Sequence, residues 1–200
     1  MSLGMNIITQ NQLFPINEVL FTFALASEAA SVFDNHNTLI TGVGKVNAAY
    51  ELTKRLSRAK PSLIVNLGSA GSNTFKRGEV VCCTNFVQRD MDVQGLGFAL
   101  YETPFEEGRI VLEYGEVLPE LPLGICGTGD NFEMGHTEKI YNVVDMEAYA
   151  LATIAQKENI PFLCLKYITD GADDNAADDW TIQVHNAAMA YGKILNIITV

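Results

Sequence analysis

Short apolar runs alternate with segments of helical spacing along most of the chain. The runs predict strands at residues 18–24, 38–43, 62–67, 79–84, 121–126 and 161–165. Apolar residues three or four positions apart predict helices at residues 27–33, 46–58, 146–157 and 179–198. Near-continuous apolar strands separated by helices are typical of a mainly parallel sheet covered on both faces. We therefore predict an α/β fold with a mainly parallel central sheet flanked by helices.

No repeat, low-complexity segment or linker divides this pattern, so we expect residues 18–200 to form a single domain. Residues 1–17 are predicted to be an N-terminal extension, in which residues 1–3 precede a native start at Met5. Residues 94–122 are rich in glycine and proline, which favours loops with one further strand. Asp178 and Asp179 suit the start of the last helix, where acidic side chains cap free amides.

Composition narrows the class of protein. A formal charge of −11 argues against a nucleic-acid partner, because such proteins present clustered Lys and Arg. The 4 cysteines form no CxxC pair and the 3 histidines are scattered, so we predict buried thiols in a reducing compartment and no metal site. No apolar segment has the length of a membrane span, and the first residues lack a signal-peptide pattern. These features together predict a cytoplasmic protein without a membrane partner.

Four predicted strands end in small or polar residues, which is the most informative pattern in the chain. The four ends are Ala26-Ser27-Glu28, Gly42-Val43-Gly44-Lys45, Gly68-Ser69-Ala70-Gly71 and Thr169-Asp170-Gly171. Any one of them alone would be interpreted as a simple turn, and none fits a dinucleotide or phosphate-loop motif. Open α/β sheets bind ligands at the carboxyl ends of their strands, so four such ends together predict a shared pocket.

The acidic residues near these ends have two interpretations each. Asp170 is a turn residue or an acid directed at a substrate. Glu28 is a first-turn carboxylate that complements a helix dipole, or a general base. Glu147, which follows Asp145 and Met146 before an apolar helix, is a second dipole partner, or a carboxylate that grips a diol.

Two aromatic residues near the predicted pocket are equally ambiguous. Phe132 is ordinary core or a ring that stacks on a base. Trp180, the only tryptophan, is a packing residue or part of a pocket rim.

Seven segments taken together resemble the purine nucleoside phosphorylase superfamily, most closely its methylthioadenosine/S-adenosylhomocysteine nucleosidases. They are Ala24-Leu-Ala-Ser-Glu28, Thr41-Gly-Val-Gly-Lys-Val46, Val65-Asn-Leu-Gly-Ser-Ala-Gly71, Arg89-Asp-Met-Asp-Val93, Gly127-Thr-Gly-Asp-Asn-Phe132, Val144-Asp-Met-Glu-Ala148 and Ile168-Thr-Asp-Gly-Ala-Asp173. The resemblance spans about residues 18–200. It implies one domain with a mixed, mainly parallel sheet.

The resemblance also implies a reaction, the cleavage of the bond between adenine and a 5′-thio-substituted ribose. Asp170 matches the general acid that protonates purine N7, and Thr169 would orient it. This task requires a raised pKa, which burial of the carboxyl group can supply. Glu28 matches the residue that deprotonates the attacking water. Glu147 would hold the ribose hydroxyls, with Met146 under the sugar ring.

Other positions follow from the same resemblance. Phe132 matches the ring that stacks on adenine, and the backbone of Glu133 would contact the base edge. Ser69 falls among the substrate-binding residues, and Lys166 stands where the nucleosidases have an arginine near the water-binding glutamate. The apolar pocket for the 5′ group would be lined by Leu25, Val43, Val93, Leu96 and Trp180. The segments at 98–124 and 132–147 are shorter than in the usual enzymes.

We expect an N-ribosyl hydrolase, because Asn66 replaces an arginine that phosphorylases use for phosphate, and Glu28 would repel that anion. A phosphorylase, a binding module without turnover and a flavodoxin-like domain are the alternatives. The resemblance implies water and a nucleoside as the reactants, no cofactor, and a homodimer with residues 94–105 near its interface. The identity of the 5′ group stays open, and futalosine is one candidate.

Overall fold

The computed structural model of the chain describes residues 5–106, 109–131, 133, 139–171 and 176–199. Within the last range, it places the side chains of residue 183 and of residues 186–199. No helix in the described parts of the chain is long and apolar enough to cross a membrane.

Ten strands and four α-helices make up the described fold. The strands are β1 Asn6–Ile8, β2 Leu13–Pro15, β3 Val19–Phe23, β4 Thr38–Ile40, β5 Leu63–Gly71, β6 Val80–Gln88, β7 Val111–Glu113, β8 Leu123–Thr128, β9 Val143–Asp145 and β10 Phe162–Asp170. The helices are α1 Ala26–Ala29, α2 Lys45–Leu56, α3 Ala148–Lys157 and α4 Ala176–Ile198. Short 3-10 turns occupy Ile16–Glu18, Ala30–Phe33 and Gln94–Leu96.

The central sheet is mixed and contains more parallel than antiparallel pairs. Five pairs are parallel, namely β3–β4, β3–β5, β5–β10, β6–β8 and β8–β9. Three pairs are antiparallel, namely β5–β9, β6–β7 and β6–β10. The predicted α/β fold with a mixed, mainly parallel sheet flanked by helices is confirmed.

The pairings also close part of the sheet into a ring. Strands β5, β10, β6, β8 and β9 follow one another and return to β5, while β3 and β4 extend from β5. The register joins β5 to β9 at Gly71 and Val144, near the carboxyl ends of both strands. Asp170, the last residue of β10, also pairs with Gly71. Strand ends that a flat sheet would separate are therefore brought together at one place.

Apolar side chains cover both faces of this sheet. On one face, α4 contributes Ala187 and Tyr191 to a cluster that includes Phe21 and Phe33. On the other face, α2 and α3 pack their alanines and leucines against the inward side chains of the strands. Fully burying a leucine or phenylalanine side chain stabilises a fold by about 1.5–3 kcal/mol. The two layers hold the ring rigidly behind the strand ends.

The predicted element boundaries needed several corrections. Strand β4 ends at Ile40 because the chain turns at Gly42 and Gly44, whose φ angles of 79° and 90° favour glycine. Strand β10 runs on to Asp170 because its polar side chains find partners inside the protein. Helix α4 begins at Ala176, three residues earlier than predicted, which places Asp178 and Asp179 inside its first turn.

Three short strands were missed by the sequence analysis. The first two, β1 and β2, form an antiparallel hairpin within residues 1–17, with Ile7 and Phe14 buried in the core. The third is β9, which has only three residues, all buried. Residues 94–122 hold one strand, β7, as predicted.

Candidate active site

The converging strand ends surround a cavity of about 440 Å³. Residues from every predicted strand end line it, together with the loops that follow β6 and β8. The lining residues are Ala24, Leu25, Glu28, Val43, Ser69, Ala70, Gly71, Arg89, Asn131, Glu133, Val144, Asp145, Met146, Glu147 and Asp170. A volume of this size suits a small-molecule ligand.

Glu28 is a buried carboxylate with defined hydrogen bonds. It lies in α1, one turn after β3, and its residue is 2% exposed. Its Oε1 accepts hydrogen bonds from the Ser69 amide at 2.8 Å and the Ser69 hydroxyl at 2.7 Å, and its Oε2 accepts one from the Leu25 amide at 3.0 Å. The carboxylate therefore caps its own helix, as the first interpretation predicts, and it also lines the cavity, where a general base would have to lie.

Asp170 faces the cavity from the end of β10. Its Oδ2 accepts a hydrogen bond from the hydroxyl of Thr169 at 2.8 Å, and both residues are buried. Thr169 does not line the cavity; its hydroxyl also lies 3.3 Å from the carbonyl oxygen of Ala70 on β5. Thr169 thus fixes the orientation of Asp170 from behind.

Glu147 stands at the N-cap of α3, and its Oε1 accepts a hydrogen bond from the Gly44 amide at 2.8 Å. Burial, and after it the nearby charge of Asp145, raise the pKa of Glu147 to about 8, while Lys166 and the Gly44 amide act in the opposite direction. Met146 lines the cavity beside it. A carboxyl group with a pKa near neutrality is typical of functional sites.

Lys166 and Asp145 form an ion pair at the base of the cavity. The Lys166 ammonium lies 2.7 Å from Asp145 Oδ2, and both side chains are 1% exposed. Burial alone would favour the neutral forms, but each charge stabilises the other, so the pKa of Asp145 is lowered and that of Lys166 is raised well above its ordinary value. Lys166 itself does not line the cavity.

Arg89 adds a cation to the cavity wall. Its guanidinium donates a hydrogen bond to Asn131 Oδ1 at 2.9 Å and lies 3.2 Å from Glu133 Oε2. The Glu133 carboxylate also accepts a hydrogen bond from the Tyr141 hydroxyl at 3.3 Å. Arg89 thereby holds the segment that follows β8 against the cavity.

The structure brings together most of the predicted site residues. Asp170, Glu28, Glu147, Met146, Glu133, Ser69, Val43 and Leu25 line one cavity. Val93 and Leu96 are not among its lining residues, and Leu96 is 75% exposed. Phe132 and the side chain of Trp180 lie outside the described residues.

Sequence reasoning assigned no role to Arg89, Asn131 or the Asp145 carboxylate. Arg89 begins one of the seven segments that carry the resemblance, and it follows an apolar strand. These two features were the sequence signal that could have identified it as a cavity residue. Within the described residues, no group of three His, Cys, Asp or Glu side chains is arranged to hold a metal ion.

The chain is similar to known proteins over most of its length. Residues 37–198 match the sequence model of the phosphorylase superfamily. A 5′-methylthioadenosine/S-adenosylhomocysteine nucleosidase from Exiguobacterium is 29% identical over 183 residues, which cover 80% of this chain and 78% of the relative. The enzyme of the same name from Haemophilus influenzae is 30% identical over 160 residues, 70% of this chain and 69% of the relative.

Solved structures share the fold at lower sequence identity. The 5′-methylthioadenosine/S-adenosylhomocysteine nucleosidase of Helicobacter pylori, solved in complex with a substituted pyrrolidin-3-ol, superposes with a TM-score of 0.80 at 19% identity; the match covers 92% of this chain and 97% of the other. A futalosine hydrolase structure from the same organism gives a TM-score of 0.80 at 20% identity, with coverages of 90% and 96%.

Proposed function

Because the chain belongs to the phosphorylase superfamily, we propose that it is a purine nucleosidase. It uses water to cleave the N-glycosidic bond of a 5′-modified purine nucleoside, of the methylthioadenosine or S-adenosylhomocysteine type. The relatives carry that activity in their names. The observation that carries the proposal is Glu28, a buried carboxylate oriented towards the cavity by three hydrogen bonds.

The nucleophile is water rather than phosphate. Asn66, which occupies the arginine position of the phosphorylases, is turned into the sheet, where its Nδ2 lies 3.4 Å from Thr22 Oγ1 and its Oδ1 accepts from Cys164 Sγ at 3.4 Å. Lys166 is paired with Asp145, and Arg89 on the cavity wall is paired with Glu133. A phosphate dianion next to Glu28 would meet the repulsion of that carboxylate.

The leaving base needs a proton. As the C1′–N9 bond breaks, its electron pair passes to the purine, and Asp170 transfers a proton to N7. Glu28 accepts a proton from water as the water oxygen bonds to C1′. Thr169 keeps the Asp170 carboxyl in place through its 2.8 Å hydrogen bond. General acid and general base catalysis of this kind each contribute about 10²–10⁴-fold to a rate.

The ribose lies on the Glu147 side of the cavity. Glu147 accepts hydrogen bonds from the sugar hydroxyls, Met146 contacts the ring, and the nearby carboxylates stabilise the positive charge that develops on the sugar. Phe132 stacks on the base and the Glu133 backbone contacts its edge. Leu25, Val43 and Trp180 surround the 5′ substituent.

The enzyme acts as a homodimer in the cytoplasm, where it serves methionine salvage. Large exposed apolar side chains support the dimer: Val46 is 78% exposed, Leu96 75% and Phe105 95%. All four cysteines are buried and none forms a disulfide bond, which suits a reducing compartment.

The test is a panel of nucleosides assayed for release of the free base. The panel contains methylthioadenosine, S-adenosylhomocysteine, futalosine, adenosine and inosine. We expect release from the two thio-substituted nucleosides by the wild type, and loss of turnover without loss of binding in Asp170→Asn. Faster cleavage of futalosine than of both thionucleosides would move the assignment to futalosine hydrolase. Binding of nucleosides without release of base would contradict an enzymatic role.

A further inference from the structure

In the buried ion pair between Asp145 and Lys166, the Asp145 carboxylate also accepts hydrogen bonds from groups other than Lys166. The Asp145 carboxylate accepts four hydrogen bonds, from Thr128 Oγ1 at 2.5 Å, Lys166 Nζ at 2.7 Å, the Ala148 amide at 2.8 Å and the Glu147 amide at 3.2 Å. A buried ion pair is tolerated when additional hydrogen bonds satisfy its oxygens and protons. The pair is therefore a fixed element of the structure.

The Asp145 end of the pair fixes Glu147. Two of its four hydrogen bonds come from the amides of Glu147 and of Ala148, the first residue of α3, so Asp145 determines where that helix starts. Glu147 is the N-cap of the helix, and its side chain reaches back to the Gly44 amide. A displacement of the Asp145 carboxylate would move the Glu147 backbone with it.

The Lys166 end of the pair lies near Glu28. A Cβ atom placed on Gly68 would be 3.4 Å from Lys166 Nζ and 3.6 Å from Glu28 Oε1. The two charged groups thus flank the same glycine, on strand β5 next to Ser69. The pair spans the distance between the carboxylate that holds ribose and the carboxylate that activates water.

The charges around Glu147 complete the arrangement. Among the described residues, it faces Asp145 on β9, Lys166 on β10 and Glu28 on α1, together with the Gly44 amide before α2. Burial and Asp145 hold its pKa at about 8 against the opposing effect of Lys166. The pair thus acts on Glu147 through both geometry and charge.

We propose that Asp145 and Lys166 are positioning residues that couple the ribose-holding Glu147 to the water-activating Glu28. Neither needs to touch the substrate; each acts through the carboxylate beside it. This inference rests on the proposed function of Glu147 and Glu28. A purely structural pair, which merely fills the base of the cavity, is the competing explanation.

The first experiment measures how the affinity for a non-hydrolysable 5′-thio nucleoside analogue depends on pH. In the wild type, binding strengthens as Glu147 ionises, with a midpoint near its pKa of about 8. In Asp145→Asn, we expect the midpoint to fall by about one pH unit or more, because a neighbouring anion is lost. Thr128→Val removes a hydrogen bond to the same carboxylate without changing a charge, so it should lower thermal stability and leave the midpoint in place. An unchanged midpoint in Asp145→Asn would overturn the proposal.

The second experiment uses the double variant Asp145→Asn/Lys166→Met, which removes both charges and avoids a buried unpaired ion. Its melting temperature should exceed that of Asp145→Asn. We expect its kcat to stay about tenfold or more below that of the wild type, since Glu147 and Glu28 have lost their support. Wild-type kcat in this double variant would show that the pair is only structural, and would refute the positioning role.

The two proposals fail in different ways. If the wild type binds the analogue but releases no base, the proposed function is wrong, and the pH dependence of binding still reports on the pair. If the wild type turns over but either variant gives its contradicting result, only the positioning role is wrong.

Discussion

The hydroxyl group of Tyr191 on α4 is hydrogen-bonded to β5 and β10, two strands whose ends line the cavity. It accepts hydrogen bonds from the Tyr167 amide at 2.9 Å and the Gly68 amide at 3.1 Å, and donates one to the Gly68 carbonyl at 2.7 Å. Tyr191 is 1% exposed, so water cannot replace its hydroxyl without rearrangement. The bonded residues are close in sequence to the cavity: Gly68 directly precedes Ser69, and Tyr167 is three residues before Asp170.

Tyr191→Phe should therefore destabilise the protein strongly while filling almost the same volume. Each buried amide left without an acceptor costs about 1–3 kcal/mol, so the two amides predict a loss of about 2–6 kcal/mol in the free energy of unfolding. Since small proteins have a total of about 5–15 kcal/mol, such a loss is a large fraction of the whole.

Urea unfolding followed by circular dichroism measures this loss directly. Tyr50→Phe is the matched control, because Tyr50 is 62% exposed and its change should stay within about 0.5 kcal/mol. A loss below about 1 kcal/mol in Tyr191→Phe would refute the reasoning, since it would mean that the strands satisfy their amides without the phenol.

Three further predictions follow from the site. Ser69→Ala removes one hydrogen bond to the Glu28 carboxylate, which is worth about 1.5–3 kcal/mol, so kcat/KM for the nucleoside should fall by about 10- to 150-fold while the fold is retained. Gly44→Ala should raise KM, because Gly44 has a φ of 90° and its Cβ would lie 3.1 Å from Asp130 Oδ1; an unchanged KM would contradict its close fit. Glu147 binds a proton more tightly in the folded protein, where its pKa is about 8, than in the unfolded chain, where it is 4.5; its contribution to stability is therefore fully present below pH 4.5 and is lost as pH rises through about 8. Glu147→Gln should lack this decline in a series of melting curves against pH.

The sequence was sufficient to predict the strand ends that meet at the cavity. Glu28 lies in the short helix after β3 and Asp170 is the last residue of β10, and the convergence of such strand ends is a general property of α/β sheets. The helices α2 and α3 were also predictable, because apolar spacing is a local property. The short strand β9 was not, since three residues give too little pattern.

Contacts between distant segments could not be predicted in this way. Lys166 lies inside an otherwise apolar strand, and its partner Asp145 is brought to it only when β9 and β10 join the ring through β5. From the resemblance, Lys166 was expected near the water-binding glutamate, and the structure shows its direct contact with Asp145. Long-range pairing of this kind depends on the closure of the sheet, which no local spacing encodes.

The most direct test of the central claim is the product formed from methylthioadenosine by the wild type, with and without inorganic phosphate. The account predicts that adenine and free methylthioribose are released at the same rate in both conditions. Strict dependence on phosphate, with methylthioribose 1-phosphate as the product, would contradict it.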